Sequence, residues 1–467
     1  MKRRMKQEQS QARSNYALQG GVVMQLKRTL FTLTAIFLFA AGANAQLARQ
    51  EIYENIHRAG GNYLDYDYEL PKPALTKAPK GYTPFYISHY GRHGSRWLLN
   101  DGQYMDQINT LRKAEGYGKL TQKGKEVLAK LEAFYPTTVK RLGDLTTVGE
   151  RQHHGIGRRM TEHFPEVFKG KAEVDARSTV VIRCILSMTA ECEELTAFNP
   201  KMKIHNDVSE SFQYYLNAGT TGEVRRQSGS RERRDAEAWS NSEYTHPERL
   251  SALLFNDPQY VADSVNASSF MRHLFEVAIN MQSHDTDIDF LDIFTKEEIY
   301  DLWRITNIGW YLGHGAAPQT GGVMPFSQSN LLRNILATAD TIVDKKRWNG
   351  ATLRFGHEVC VLPLACLLEL DSCGREVSDL TKLDEQWVNY RIFPMACNIQ
   401  LVFYRPKKGN GDILVKALLN EKETTLPLPS DLHPYYRWTD FKQYFEKKLN
   451  DFDAKYPPSA TPPRRRQ

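Results

Sequence analysis

The run "GYTPFYISHYGRHGSRW", residues 81–97, decides the fold. Its first half, "GYTPFYI", reads as a buried strand, 84–88, with a charged turn after it. The ten residues from Ser88 to Trp97 then hold two arginines, two histidines and two glycines. Gly91 and Gly94 make the charged end a turn rather than a helix. Taken alone, a charged turn after a strand is as often a solvated loop as a site.

Two more charged groups follow predicted strands. "EVDAR" (173–177) is a short strand, and Arg177 and Arg183 lie in the "ARSTVVIRCILS" that follows it. "ATLRFGHE" (351–358) is a strand and turn ending in His357 and Glu358. Helical patterns lie between these strands at 101–113, 122–134, 147–163 and 181–197. The third opens on Thr147 with Glu150 three residues on, the spacing of a capping box. "KMKIH" is a further short strand. "NIQLVFYR" and "DILVKALLN" form a late strand pair, 359–370 is an apolar helix, and 439–449 is a final helix. Strands alternating with helices predict an α/β sheet. Ligands on such sheets bind at the carboxyl ends of the strands. If the three strands are parallel neighbours, Arg92, His93, Arg96, Arg177, Arg183, His357 and Glu358 converge on one sheet edge.

Arginine is a permanently charged planar fork that matches phosphate oxygens. Phosphoryl transfer needs positioning and charge neutralisation above all. An imidazole can act as nucleophile, and a carboxylic acid can protonate the leaving oxygen. The residue set therefore suits a phosphomonoesterase that uses neither metal nor cofactor.

"RHGSR", "RST…R…S" and "FGHE", in that order, resemble the histidine acid phosphatase family, branch 2 of the histidine phosphatase superfamily. "GDLTTVGERQHHGIGRRM" is similar to that family's Gly-x-Leu-Thr-x-x-Gly helix. "NIQLVFYR…DILVKALLNEKETTLPL" resembles the multiple inositol polyphosphate phosphatase subgroup. The resemblance runs from about residue 80 to 428. It implies a Rossmann-like central α/β sheet flanked by helices, with an inserted α-helical cap. It implies His93 as nucleophile, and Arg92, Arg96, Arg183 and His357 as phosphate contacts. Glu358 would be the proton donor, and water would then hydrolyse a phosphohistidine. The family usually has proline two residues after the loop's second arginine, where this chain has Leu98. Its acid block is His-Asp or His-Ala-Glu, where this chain has His357-Glu358.

The stretch 206–345 changes character, with Arg, Trp and Tyr enriched, and reads as the helical cap insertion. It separates α/β segments at 46–205 and 346–455. "VRRQSGSRERR" (224–234) carries five arginines. They are either a solvated face or a cap surface that meets a polyanion such as phytate. The aromatics of "WRITNIGWYL" read as cap core, His153 and His154 as solvent-facing, and His89 as packed at the strand end. A metal pair formed by His89 and His93 is rejected, because the turn breaks helical spacing and no third carboxylate lies near. Arg177 is as well explained by pairing with Asp175 or Glu173.

The 467-residue chain exceeds the ~250–300 residues at which single cores stop growing, consistent with a domain plus insertion. Residues 24–46 have a charged n-region at Lys27 and Arg28, an apolar stretch to Gly42, and Ala43-Asn44-Ala45 as cleavage site. This predicts export to the periplasm or beyond, with Met24 the true start and no membrane anchor after cleavage. The formal net charge is +6. Residues 1–45 hold seven Lys/Arg and one Glu, leaving 54 bases and 54 acids. That balance excludes a nucleic-acid binder driven by bulk charge and fits a small acidic partner. The six cysteines follow no C-x-x-C zinc pattern. Cys184, Cys360 and Cys366 read as core, and Cys373 with Cys397 as the pair to test for a disulfide. "PPSATPPRRRQ" at the end reads as a disordered tail, in the 456–467 segment. Two alternatives stay open: a broad-specificity acid or sugar phosphatase, and a phosphate-binding protein without turnover.

Overall fold

The computed structural model describes residues 47–219, 222–345, 348–409 and 411–457. The export segment and the last ten residues of the tail lie outside them. Among the described residues, no helix is long and apolar enough to cross a membrane.

The sheet contains β1 (Tyr82–Arg92), β2 (Glu173–Ser178), β3 (Lys203–Val208), β4 (Gly350–Gly356), β5 (Asn398–Pro406), β6 (Leu414–Leu419) and the two-residue β7 (Lys422–Glu423) and β8 (Tyr436–Arg437). Its order is β3-β2-β4-β1-β5-β6-β7, with β8 on β6. The pairs β2–β3, β2–β4 and β1–β4 are parallel, whereas β5 joins β1 antiparallel. Arg92 is opposite Gly356, and Ser178 is opposite Phe355. Three strands thus end at one level and send their following loops to the same edge.

Strand β1 continues four residues past its predicted end at Ser88, so Arg92 is its last residue rather than part of the turn. Every residue of β1 from Pro84 on is buried, and so is all of β4. A strand covered on both faces reads as a continuous apolar run. The covering helices are α1 (Gly102–Gly116), α2 (Gln122–Phe134), α3 (Thr147–His163), α4 (Ile182–Phe198), α5 (Arg231–Glu243), α6 (Ala267–Asn280), α7 (Lys296–His314), α8 (Ser329–Val343), α9 (Glu358–Leu367) and α10 (Trp438–Lys455), with shorter turns between. Tyr86 and Tyr90 face a core shared with α8, α9 and α10. Ile87 faces the opposite core, with Ile156 and Met160 of α3 and Met188 of α4. A third core is helical: α1, α2, α6 and α7 pack Leu111, Leu131, Phe275 and Trp303 together. The helices of 206–345 therefore share a core with the helices that follow the charged loop, and β3 runs to Val208.

Two sequence expectations are corrected here. Helix α3 is capped by Thr146, not Thr147: the Thr146 hydroxyl accepts from the Gly149 amide and also bonds Ser95 O. Cys373 and Cys397 form no disulfide; all six cysteines are buried free thiols, packed as small apolar residues.

Candidate active site

Arg92 is wholly buried where β1 ends. Its Nη1 donates to Asn62 O at 2.5 Å and Pro394 O at 3.1 Å. Its Nε lies 3.0 Å from Glu358 Oε2. The chain then turns sharply. The His93 amide bonds Gly356 O, and the Gly94 amide donates to Ser187 Oγ of α4 at 3.1 Å. The Ser95 amide donates to Gln152 Oε1 of α3 at 2.9 Å. A Cβ on Gly94 would stand 2.3 Å from Gly149 O, and one on Gly149 2.3 Å from Ser95 O. The glycines of "RHG" and "TVG" are thus fixed by one backbone contact that seats the loop on the first turn of α3.

His93 Nδ1 is 2.8 Å from Gly94 O, so the proton sits on Nδ1 and Nε2 carries the lone pair. Nε2 faces Glu358 Oε2 at 3.6 Å. The His357 ring stands 5.6 Å from the His93 ring, edge to face. Arg96 lies over the Tyr63 ring at 5.5 Å. Arg183, in the first turn of α4, donates Nη1 to Gly143 O at 3.1 Å. Among the described residues, Arg92 Nη2 and Arg183 Nε are buried donors with no acceptor. Buried donors nearly always have partners, so donors left open in a charged pocket mark a place for an anion.

Burial holds the His93 imidazole well below its ordinary range, and Arg92 and Arg183 push the same way. Burial likewise brings His357 down to about 4, partly opposed by Glu358. Burial pushes Glu358 up, but Arg92, Arg96 and His357 together outweigh it and hold the carboxyl at about 2. The site is thus a neutral imidazole beside a carboxylate and three guanidinium groups. One ligand atom each from His93, His357 and Glu358 lies within 4.8 Å of the others, a spacing that could hold a metal ion. Arg92, Arg96 and Arg183 work against that use, because fixed positive charges oppose a dication.

The structure brings together six residues expected from sequence: Arg92, His93, Arg96, Arg183, His357 and Glu358. Arg177 stays outside this set, paired with Asp175 at 3.0 Å and with the Tyr215 hydroxyl. His89 is buried between strand and helices, as expected. His153 corrects the sequence reading: it is fully buried, 2.7 Å from the equally buried Glu191. Helix α3 turns that face onto α4, and a charged neighbour sequence hid it. His154 is half-buried against Glu194. Sequence reasoning missed Tyr63, Gln152 and Ser187. It also missed Glu276 of α6, which accepts from Tyr63 Oη at 3.2 Å and Gln103 Nε2 at 2.9 Å. These contacts join segments far apart in the chain, and no local spacing announces them.

Comparison with known proteins places this geometry. The Bifidobacterium longum multiple inositol polyphosphate phosphatase in complex with inositol hexasulfate superposes with a TM-score of 0.70 at 17% identity, over 83% of this chain and 97% of that one. The phytase from D. castellii gives 0.61 at 17% identity, over 84% and 85%. The apo form of Hafnia alvei phytase gives 0.51 at 14% identity, over 79% and 98%. These likenesses concern the fold. No curated protein sequence matches the chain. The profile of the histidine phosphatase superfamily (branch 2) matches residues 91–420, from the end of β1 to just past β6. By that match, spanning every block of the sheet edge, the chain belongs to branch 2 of the histidine phosphatase superfamily.

Proposed function

We propose that this histidine acid phosphatase hydrolyses inositol polyphosphates through a phosphohistidine at His93, outside the cytoplasm. The observation that carries the reading is the neutral His93, its lone-pair nitrogen turned toward Glu358 and its pocket lined by open guanidinium donors. A phosphoryl group seated between Arg92, Arg96 and Arg183 presents phosphorus to Nε2. Attack forms the N–P bond as the P–O bond to the leaving alcohol breaks. The incoming anionic oxygens offset the positive field that keeps Glu358 ionised, and raise its affinity for a proton. Protonated there, Glu358 gives that proton to the leaving oxygen. Water then attacks phosphorus, its proton passes to Glu358, and His93 is released with inorganic phosphate.

Inositol polyphosphate as substrate class is supported by the inositol hexasulfate held by the structural neighbour and by the arginine-bearing cap. Export is supported by the leader-like residues 24–46. The test is phosphate release by residues 46–467 at mildly acid pH in chelator, with phytate and an aryl phosphate side by side. Release from phytate supports the phosphatase activity and the substrate class. Release from the aryl phosphate alone leaves a broad phosphatase, and release from neither leaves a phosphate-binding protein.

A further inference from the structure

Helices α3 and α4 each grip the turn that follows β1. From α3, Gln152 Oε1 accepts from the Ser95 amide at 2.9 Å, and the capping Thr146 hydroxyl bonds Ser95 O at 3.1 Å. From α4, Ser187 Oγ accepts from the Gly94 amide at 3.1 Å, and Arg183 stands one turn earlier on the same helix. The placement of His93 against Arg183 therefore depends on how α3 lies on α4. The two helices meet backbone to backbone: a Cβ on Gly157 would stand 2.9 Å from Glu191 O. One turn before Gly157, His153 Nδ1 lies 2.7 Å from Glu191 Oε1, with both side chains buried. His153 directly follows Gln152, and Glu191 lies one turn after Ser187. The His153 ring also lies 6.0 Å from that of Phe355, and the next residue, Gly356, accepts from the His93 amide. A second tie between the helices joins Glu194 to His154 and to the exposed Arg158. Exposed ion pairs contribute little and hold their geometry loosely.

Two apolar side chains of similar volume are often as stable as a buried polar pair, so stability alone is a poor reason for this one. A short directional bond adds what apolar contact does not, a fixed spacing between two helices. We propose that His153 and Glu191 are positioning residues for the reaction at His93. Their buried bond sets α3 on α4, and so sets the turn carrying His93 against Arg183. This rests on the phosphatase reading. Neither residue touches the substrate; both act through Gln152 and Ser187, their neighbours on the two helices.

The test separates positioning from stability with the double variant His153→Leu, Glu191→Met, in which apolar side chains replace the pair. Its unfolding midpoint in urea should stay near that of the wild type. Its kcat for an aryl phosphate should nevertheless fall about tenfold to a hundredfold, because in-line attack tolerates little displacement. KM, which reflects attraction to the three guanidinium groups, should change far less. Glu191→Gln keeps an oxygen that can accept from His153 Nδ1, and it should recover most of kcat where Glu191→Met alone does not. A double variant as stable and as fast as the wild type would overturn the proposal. So would equal kcat in Glu191→Gln and Glu191→Met. If the double variant does not fold, His153→Asn and His153→Gln carry the same test. The amide nitrogen of the first can take the place of Nδ1 and should preserve kcat; that of the second cannot, and kcat should fall. Equal rates in these two would likewise overturn it. A wild-type protein that hydrolyses neither phytate nor the aryl phosphate would overturn the phosphatase reading and this one with it. An active wild type with unaffected variants would overturn this one alone.

Discussion

Arg92 Nε and Glu358 Oε2 stand 3.0 Å apart, and the same carboxylate oxygen lies 3.6 Å from His93 Nε2. One carboxylate therefore faces both the guanidinium proposed to hold phosphate and the imidazole proposed to attack it. Removing its proton-donating ability with Glu358→Gln keeps the shape and removes the acid. Turnover of phytate, whose alkoxide leaves poorly without a proton, should fall by roughly 10²–10⁴. An aryl phosphate with an acidic phenol needs little help and should lose at least about tenfold less. Steady-state kcat on both substrates decides it; equal losses would mean that Glu358 only positions Arg92.

The His93 ring titrates well below its ordinary range because it is buried among Arg92, Arg183, His357 and Arg96. A depressed pKa keeps the proposed nucleophile neutral as the medium becomes acid. The kcat/KM for an aryl phosphate should therefore not fall through protonation of His93 between pH 6.5 and 5. An acid limb with a midpoint near 6.5, the ordinary histidine value, would show that the ring is solvated in the working enzyme. His93→Ala should remove both turnover and covalent labelling by substrate.

Much of this site was legible in the chain because its parts are short and local. "RHGSR", Arg183 and "FGHE" each follow a strand, and parallel pairing of β1, β2 and β4 carries them to one edge. The buried polar frame was not legible. His153 looked solvated because its neighbours Arg151, His154 and Arg158 are polar or charged, yet the helix period turns it onto Glu191. Tyr63 reaches Arg96, and Glu276 reaches Tyr63, from segments with no motif of their own. The cysteine pairing failed for a different reason. Export permits disulfides but does not require them, and Cys373 and Cys397 are each packed among apolar side chains.

Leu98 occupies the position where related loops usually carry proline. Its amide donates to Tyr104 Oη at 2.9 Å, and its side chain is fully buried. Proline has no amide hydrogen to give. Leu98→Pro should cost about 1–3 kcal/mol by removing the donor to the buried Tyr104 hydroxyl oxygen, on top of the lost packing. Urea unfolding of Leu98→Pro against wild type measures this. A neutral or stabilising result would show that the Tyr104 hydroxyl, which keeps its donor bond to Asn280 Oδ1 at 3.4 Å, does not need the Leu98 amide.

The last prediction concerns acid stability. His89 is fully buried and both its ring nitrogens lack partners. Burial is the main reason its pKa falls to about 4, with Glu191 opposing and His153 and Arg354 adding to the shift. His284, His314 and His357 are also brought down to about 4 by burial. Unfolding returns each ring to about 6.5. Between those values the unfolded chain binds more protons, so acid favours unfolding. The stabilising contribution of each neutral ring is complete above pH 6.5 and is lost as pH falls through about 4. The unfolding free energy from urea titrations should therefore drop from pH 7 to 4.5, by up to about 1.4 kcal/mol per pH unit for each such histidine. His89→Met fills a similar volume without a titrating group, and it should flatten that slope by up to one histidine's share. A slope unchanged in His89→Met would mean that His89 gains a proton in the folded state, with Glu191, now holding one open oxygen, as the group that receives it.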